Sequence, residues 1–189
     1  ACVVGGFSTI LRGWPILLVL AASVVAAFAY TGGPKPLGYL GFGDIMAFLF
    51  FGPVAVSATY FLHAGNWPIQ AILAGLGPGL LATAILAVNN LRDVETDSAA
   101  GKRTLAVRFG VSFARFEYVG CILGAALVPT ILGVATGRWA GALSLMTIMT
   151  ATPWILIVLR SDRPPDLNHA LAGTARTMLI HALLFSIGW

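Results

Sequence analysis

The chain has 189 residues, 58% of them apolar and 10% charged, with a formal net charge of +4 and a mean hydropathy of +0.90. Soluble domains hold roughly 45–50% apolar residues, so a soluble globular fold is excluded and a membrane-embedded one is expected. The cations sit mostly in short connections between apolar runs, where membrane topology accounts for them and no nucleic-acid partner is needed.

Residues 1–7, Ala-Cys-Val-Val-Gly-Gly-Phe, are apolar with no basic segment ahead of them. They read as the end of a helix rather than as a signal peptide. Charge-free runs follow at residues 13–34, 45–91, 118–137 and 139–159, and a last run, 167–189, carries the single charge Arg176. A spanning helix needs ~20 residues, so 45–91 is long enough for two, with His-Ala-Gly-Asn-Trp-Pro at 63–68 as the turn between them. The expected fold is all-α: a polytopic transmembrane bundle of about six full spanning helices plus an N-terminal stub.

Alternating spans divide the charges between two sides. Lys35, Arg92, Lys102, Arg103, Arg108, Arg115, Arg160 and Arg163 fall on one, Arg12 and Arg138 on the other. The positive-inside bias places the first side in the cytoplasm.

The connection at 30–44, YTGGPKPLGYLGFGD, is rich in Gly and Pro and predicts an ordered turn or a short broken segment. Its aromatics Tyr30, Tyr39 and Phe42 suit either an interfacial belt or the wall of a ring-binding site, with the belt favoured for Tyr30 alone. At 160–168, RSDRPPDLN, Pro164 and Pro165 stop one helix, and Asp166 or Asn168 is placed to cap the next. Cys2 and Cys121 lack metal-ligand spacing and read as small apolar fillers. His63, His169 and His181 are scattered and read as loop or packing residues.

The chemistry gathers at 89–110, NNLRDVETDSAAGKRTLAVRFG, which holds three of the seven carboxylates and four of the eleven cations. Asp93 and Asp97 are four apart, so a helix puts both on one face, with Asn89 and Asn90 just below and Glu95 on the other side. Like charges at that spacing cost a bare helix ~0.2–0.5 kcal/mol, and more where the dielectric is low. Something cationic must compensate. Neighbouring arginines would do so in a plain charged loop; a divalent cation would do so in a binding site. Mg²⁺ is usually held by one or two carboxylates plus substrate phosphates, and Lys102, Arg103 and Arg108 are the cluster a diphosphate needs. Oxygen ligands without paired His or Cys disfavour zinc. The chemistry this implies is loss of a diphosphate, with growing negative charge neutralised on the leaving group, and the membrane setting suggests a long lipid as the rest of the substrate.

This stretch resembles the second Asp-rich motif of the UbiA superfamily of intramembrane prenyltransferases, in particular of its naphthoate-prenylating members. Residues 30–61 and 167–185 resemble further segments of the same members, in the same order. The resemblance implies a nine-span helical bundle whose active site opens near the cytoplasmic face of a bacterial inner membrane. It implies Asp93 and Asp97 as Mg²⁺ ligands and catalytic groups, and Lys102 and Arg103 as diphosphate contacts. Asn89, Asn90 and Arg92 match flanking polar positions, and Tyr39 and Asp44 match positions near the substrate cavity. Polyprenyl diphosphate is then the donor and 1,4-dihydroxy-2-naphthoate the acceptor, giving demethylmenaquinone with release of diphosphate and CO₂.

No segment matches the family's first Asp-rich motif. Residues 1–189 are therefore expected to be one transmembrane domain lacking its N-terminal helices and that motif, and to be inactive by themselves. Arg176, two turns into the last run, joins the expected substrate-binding set as a cavity-facing cation, with snorkelling as the alternative. A sister enzyme acting on 4-hydroxybenzoate or homogentisate is the nearest alternative function. A transporter gated by the charged stretch is the alternative of another class, although its carboxylates would sit at a helix end rather than at mid-membrane. CDP-alcohol phosphotransferases need an Asp-Gly and an Ala-Arg ahead of the Asp pair, which this sequence lacks.

Overall fold

A computed structural model describes residues 13–188, and within them the chain is helical with no strand. The expected N-terminal stub, Cys2 and Arg12 lie outside the described residues. Six segments are long and apolar enough to cross a membrane, as the hydropathy pattern predicts.

The first span is α1 (Trp14–Thr31), which carries Pro15 in its first turn, where a missing N–H costs nothing. The second is broken: α2 (Gly43–Leu49) passes through a π-helical turn (Phe50–Val54) into α3 (Ala55–Ala64). Gly52 and Pro53 cause the break, since proline removes a helical donor and its ring crowds the preceding turn. Gly65, at φ 75, ends α3 in the left-handed conformation that glycine adopts most cheaply, and this is the turn expected at 63–68. The third span joins α4 (Ile69–Ala74) to α5 (Leu76–Arg92). Two short helices, α6 (Val94–Ala99) and α7 (Leu105–Phe109), form the next connection. The fourth span is α8 (Val111–Thr136); the fifth enters through a 3₁₀ turn (Trp139–Leu145) into α9 (Met146–Arg160); and α10 (Pro164–Gly188) is the sixth.

The core lies around α5. Its Leu81, Ala84 and Val88 are buried against Tyr118, Ile122 and Ala125 of α8, and Ala151, Val158 and Ala170 of α9 and α10 complete the cluster. Small side chains dominate because helices in lipid associate through close packing rather than through hydrophobic expulsion. The second and third spans cross with their backbones in close approach. A Cβ on Gly79 would stand 2.5 Å from the Phe48 carbonyl oxygen, and one on Gly52 would stand 2.5 Å from that of Gly75.

Tyr118 carries the one phenol buried in that core. Its hydroxyl lies 2.8 Å from Thr174 Oγ1, and Thr174 in turn donates to the Ala170 carbonyl at 2.7 Å. Tyr118 is therefore the donor to Thr174. Tyr118→Phe leaves no donor stranded and is expected to lower stability by about 1 kcal/mol, read as a lower Tm of the detergent-purified protein.

Two boundaries differ from expectation. α8 starts at Val111, seven residues before the charge-free run, and takes Arg115 and Glu117 into the helix. Arg115 reaches across to α9, donating to the Val158 carbonyl (2.9 Å) and pairing with Asp162 (2.8 Å). A cation that satisfies the last carbonyls of a neighbouring helix extends a span instead of ending it. In α10, neither Asp166 nor Asn168 is the cap, because the helix already begins at Pro164. Ser161 Oγ accepts from the Arg163 N–H (3.2 Å) and donates to Asp166 Oδ2 (2.6 Å), which frees Asn168 for another contact.

Candidate functional site

α5 and α6 meet at Asp93, whose backbone (φ -100, ψ 11) leaves the helical conformation between them. Asp93 N–H donates to the Asn89 carbonyl (3.1 Å) and Asp97 N–H to that of Asp93 (2.8 Å). The two carboxylates thus stand on consecutive turns, and Glu95 is exposed on the other side. Each already has a cation. Arg92 grips Asp93 with two parallel hydrogen bonds, Nε to Oδ1 and Nη2 to Oδ2, both 2.7 Å. Lys102 Nζ lies 3.2 and 3.1 Å from the two oxygens of Asp97, and its backbone N–H donates to the Asp97 carbonyl at 2.9 Å.

Arg92 organises more than Asp93. Its guanidinium also donates to Asn89 Oδ1 (2.8 Å) and, across to α10, to Asn168 Oδ1 (2.7 Å). A planar five-donor fork can serve three acceptors at once. The fork holds the Asp93 carboxyl below the usual carboxylate range, so Asp93 is an anion at neutral pH. The stabilisation the pair contributes is lost only as pH falls through that lowered value.

Asn89 also borders a cavity of about 1040 Å³ between α1, α2, α5 and α10, with Tyr30, Met46, Phe50, Leu86 and Met178 among its walls. Ser23, Tyr30, Thr31 and Asn89 are the polar members of a lining that is otherwise mostly apolar. Tyr30 is part of this wall, and Gly38 and Gly43 pack against its ring, where a Cβ would stand 3.2 Å from Tyr30 Cζ and 3.4 Å from its hydroxyl respectively.

The connection at 30–44 locks onto the basic run. Tyr39 contributes its carbonyl, which accepts from the Arg103 N–H at 2.8 Å, while its ring is exposed. Arg108, expected at a diphosphate, instead donates to the Leu40 carbonyl at 2.7 Å. Between them Gly41 adopts φ +83, and a Cβ there would stand 2.5 Å from the Arg103 carbonyl oxygen. Asp44 lies in the first turn of α2, 4% exposed, and accepts from Asn90 Nδ2 at 3.3 Å. Its other oxygen is buried without a partner.

The structure therefore brings Asn89, Arg92 and Asp93 into one cluster, pairs Asp97 with Lys102 beside it, and links Asn90 to Asp44 and Arg103 to Tyr39. Arg176 is not among the cavity-lining residues: Leu171 and Met178 line the cavity from α10, while Arg176 is exposed. Asn168 is the member that sequence reasoning assigned elsewhere. It sits in the RPPDLN segment, where a polar residue after two prolines signals a cap more strongly than a contact to a residue 76 positions away.

Among the described residues, no three His, Cys, Asp or Glu side chains come together closely enough to hold a metal ion by themselves. Asp93 and Asp97, one turn apart and each balanced by a cation, are of the oxygen type that suits an ion taking its remaining ligands from water and a substrate phosphate, as Mg²⁺ does.

The family model described as the UbiA prenyltransferase family matches residues 1–183. The chain belongs to the UbiA prenyltransferase family. Among similar proteins, a 1,4-dihydroxy-2-naphthoate octaprenyltransferase of Haemophilus influenzae is 40% identical over 167 residues, covering 88% of this chain and 54% of that protein. Proteins of the same name from Escherichia coli and Mycobacterium leprae are 37% and 35% identical, over 91% and 95% of this chain and 56% and 61% of their own lengths. The chain thus spans little more than half the length of these relatives.

Proposed function

We propose that the protein to which these residues belong transfers a polyprenyl chain from polyprenyl diphosphate to 1,4-dihydroxy-2-naphthoate, in a bacterial cytoplasmic membrane and with the Asp93 end of the bundle facing the cytoplasm. The observation that carries this reading is the shared residue Asn89. It borders the large apolar cavity and is tied through Arg92 to Asp93. A lipid tail and a charged head group therefore have adjoining places.

Asp93 and Asp97 are the residues that would hold Mg²⁺, which when bound supplies neutralisation of the charge growing on the departing diphosphate. Arg92 and Lys102, which now balance those carboxylates, stand where the same growing charge needs donors. Arg103 is exposed and its backbone is pinned at Tyr39, so its side chain is free to reach the head group. The C1–O bond of the donor breaks with its electron pair going to the diphosphate. The ring carbon bearing the carboxylate then bonds to C1, and the carboxylate leaves as CO₂, returning its electron pair to the ring. Apolar walls around the cavity keep water from the allylic cation.

Arg92→Lys replaces the three-way fork by a point charge. It is expected to lower kcat/KM for the donor about tenfold while the protein remains folded. The acceptor is tested by giving membranes of the complete reading frame polyprenyl diphosphate and Mg²⁺ with either 1,4-dihydroxy-2-naphthoate or 4-hydroxybenzoate. Prenylated naphthoquinol from the first alone is the expected product. Product from 4-hydroxybenzoate alone would move the protein to a sister pathway.

A further inference from the structure

Lys102 is held between two parts of the fold by its backbone. Its own N–H donates to the Asp97 carbonyl at 2.9 Å, and the next N–H, that of Arg103, donates to the Tyr39 carbonyl at 2.8 Å. The lysine therefore stands between α6, which bears Asp97, and the 30–44 connection, which leads into α2 and Asp44. Its side chain pairs with the first of these, Nζ lying 3.2 and 3.1 Å from the two Asp97 oxygens.

That pairing competes with a metal. A carboxylate whose two oxygens both accept from one ammonium has to release it to take a divalent cation in its place. The released ammonium, on a side chain only 23% exposed, then needs another acceptor, because a part-buried charge without a partner is costly.

Few acceptors remain. Both Asp93 oxygens are held by Arg92, Asp162 is paired with Arg115, Asp166 accepts from Ser161, and Glu95 is exposed on the other side of α6. Asp44 differs from all of these. Its Oδ1 accepts from Asn90 Nδ2 at 3.3 Å, while its Oδ2 is buried with no hydrogen bond. Lys102 is the cation within electrostatic reach of Asp44, and Glu117 of α8 places a second carboxylate within reach of it. Neither acid is in an ion pair among the described residues. Asp44 is not among the cavity-lining residues, although its neighbour Gly43 is, so a partner side chain suits it better than a substrate contact.

We propose that Asp44 is the second seat of Lys102: as a divalent cation is taken up at Asp97, the ammonium turns from Asp97 to Asp44 Oδ2. This seat rests on the reading of Asp97 as a metal ligand and adds a residue to it. A flexible four-carbon stem with a rotatable head suits such a turn. Of the three N–H donors one serves Asp44, which leaves two for the diphosphate. Asp44 is thus a positioning residue, acting on the head group through Lys102.

Calorimetric titration of Mg²⁺ alone into the detergent-purified complete reading frame tests this without any prenyl transfer. Asp44→Asn keeps an acceptor for Asn90 and loses the anion, and is expected to weaken Mg²⁺ binding about tenfold, the worth of one hydrogen bond to a charged group. In a Lys102→Met background the same substitution is expected to change it less than about twofold, because a pairwise coupling vanishes with its partner. An equal loss in both backgrounds would overturn the seat and leave the metal at Asp97; no Mg²⁺ binding by the unsubstituted protein would overturn both. A second measurement needs no substitution at position 44: the rate at which an acetylating reagent modifies Lys102, followed by mass spectrometry with the exposed Lys35 as control. Mg²⁺ is expected to slow Lys102 about threefold or more, as the amine forms a charge-assisted bond to a buried carboxylate. A rate that is unchanged or raised would overturn the proposal.

Discussion

Asp93→Asn and Asp97→Asn are each expected to lower prenyl transfer by the complete protein about a hundredfold or more, the size of loss that follows removal of a charge-stabilising group at a reacting centre, with the fold intact. The separation of the two effects follows from the geometry. Asp97 is buried and its Asn variant keeps the shape of the side chain beside Lys102, whereas the Asp93 side chain keeps 31% of its surface exposed and pairs with Arg92. Ion pairs that solvated contribute little to stability. When Asp93 becomes Asn, Arg92 keeps its bonds to Asn89 and Asn168, and α6 keeps its backbone register through the Asp97 N–H. Activity with Mg²⁺, polyprenyl diphosphate and naphthoate should therefore collapse while Tm in detergent moves little. Equal losses of Tm and activity would mark the pair as a structural clasp.

Gly79→Val is expected to abolish the folded protein, and Gly79→Ala to cost ~3 kcal/mol or more, the upper part of the range for overpacking. The Cβ would meet the Phe48 carbonyl oxygen at 2.5 Å and Gly52 Cα at 3.2 Å. These are backbone atoms with no rotamer to give. The only relief is to part α2 from α5, which would also carry Asn90 away from Asp44 and shift the turn bearing Asp93. Gly120→Ala in α8 is the control, since nothing lies within 4 Å of its Cβ; that change should be neutral or stabilising by up to ~1 kcal/mol. Tm and monodispersity in detergent measure both.

The six spans were legible because the property that makes them, uninterrupted apolar length, is additive along the sequence. The four-residue spacing of Asp93 and Asp97 also corresponds to one turn, with the Asp97 N–H donating to the Asp93 carbonyl, although the chain leaves the helix at Asp93 itself. What escaped were features set by groups distant in sequence. Charge at 115 and 117 suggested a loop, yet Arg115 is satisfied by α9, 43 residues later. Arg108 looked like a phosphate ligand because it follows Lys102 and Arg103, but the carbonyl that holds it, Leu40, is 68 positions away. Asn168 carried a capping signal and serves Arg92 instead. The π-turn at Phe50–Val54 did have a local sign, Gly52-Pro53 inside an apolar run, which length alone concealed.

Isotope-labelled polyprenyl diphosphate given to membranes of the complete reading frame with naphthoate, over a Mg²⁺ titration after chelation, tests the central claim most directly. The expected result is label in a prenylated naphthoquinol that appears only as Mg²⁺ is restored and is missing in Asp93→Asn. Label that remains in the donor at every Mg²⁺ concentration, in membranes where the protein is shown to be folded, would contradict it.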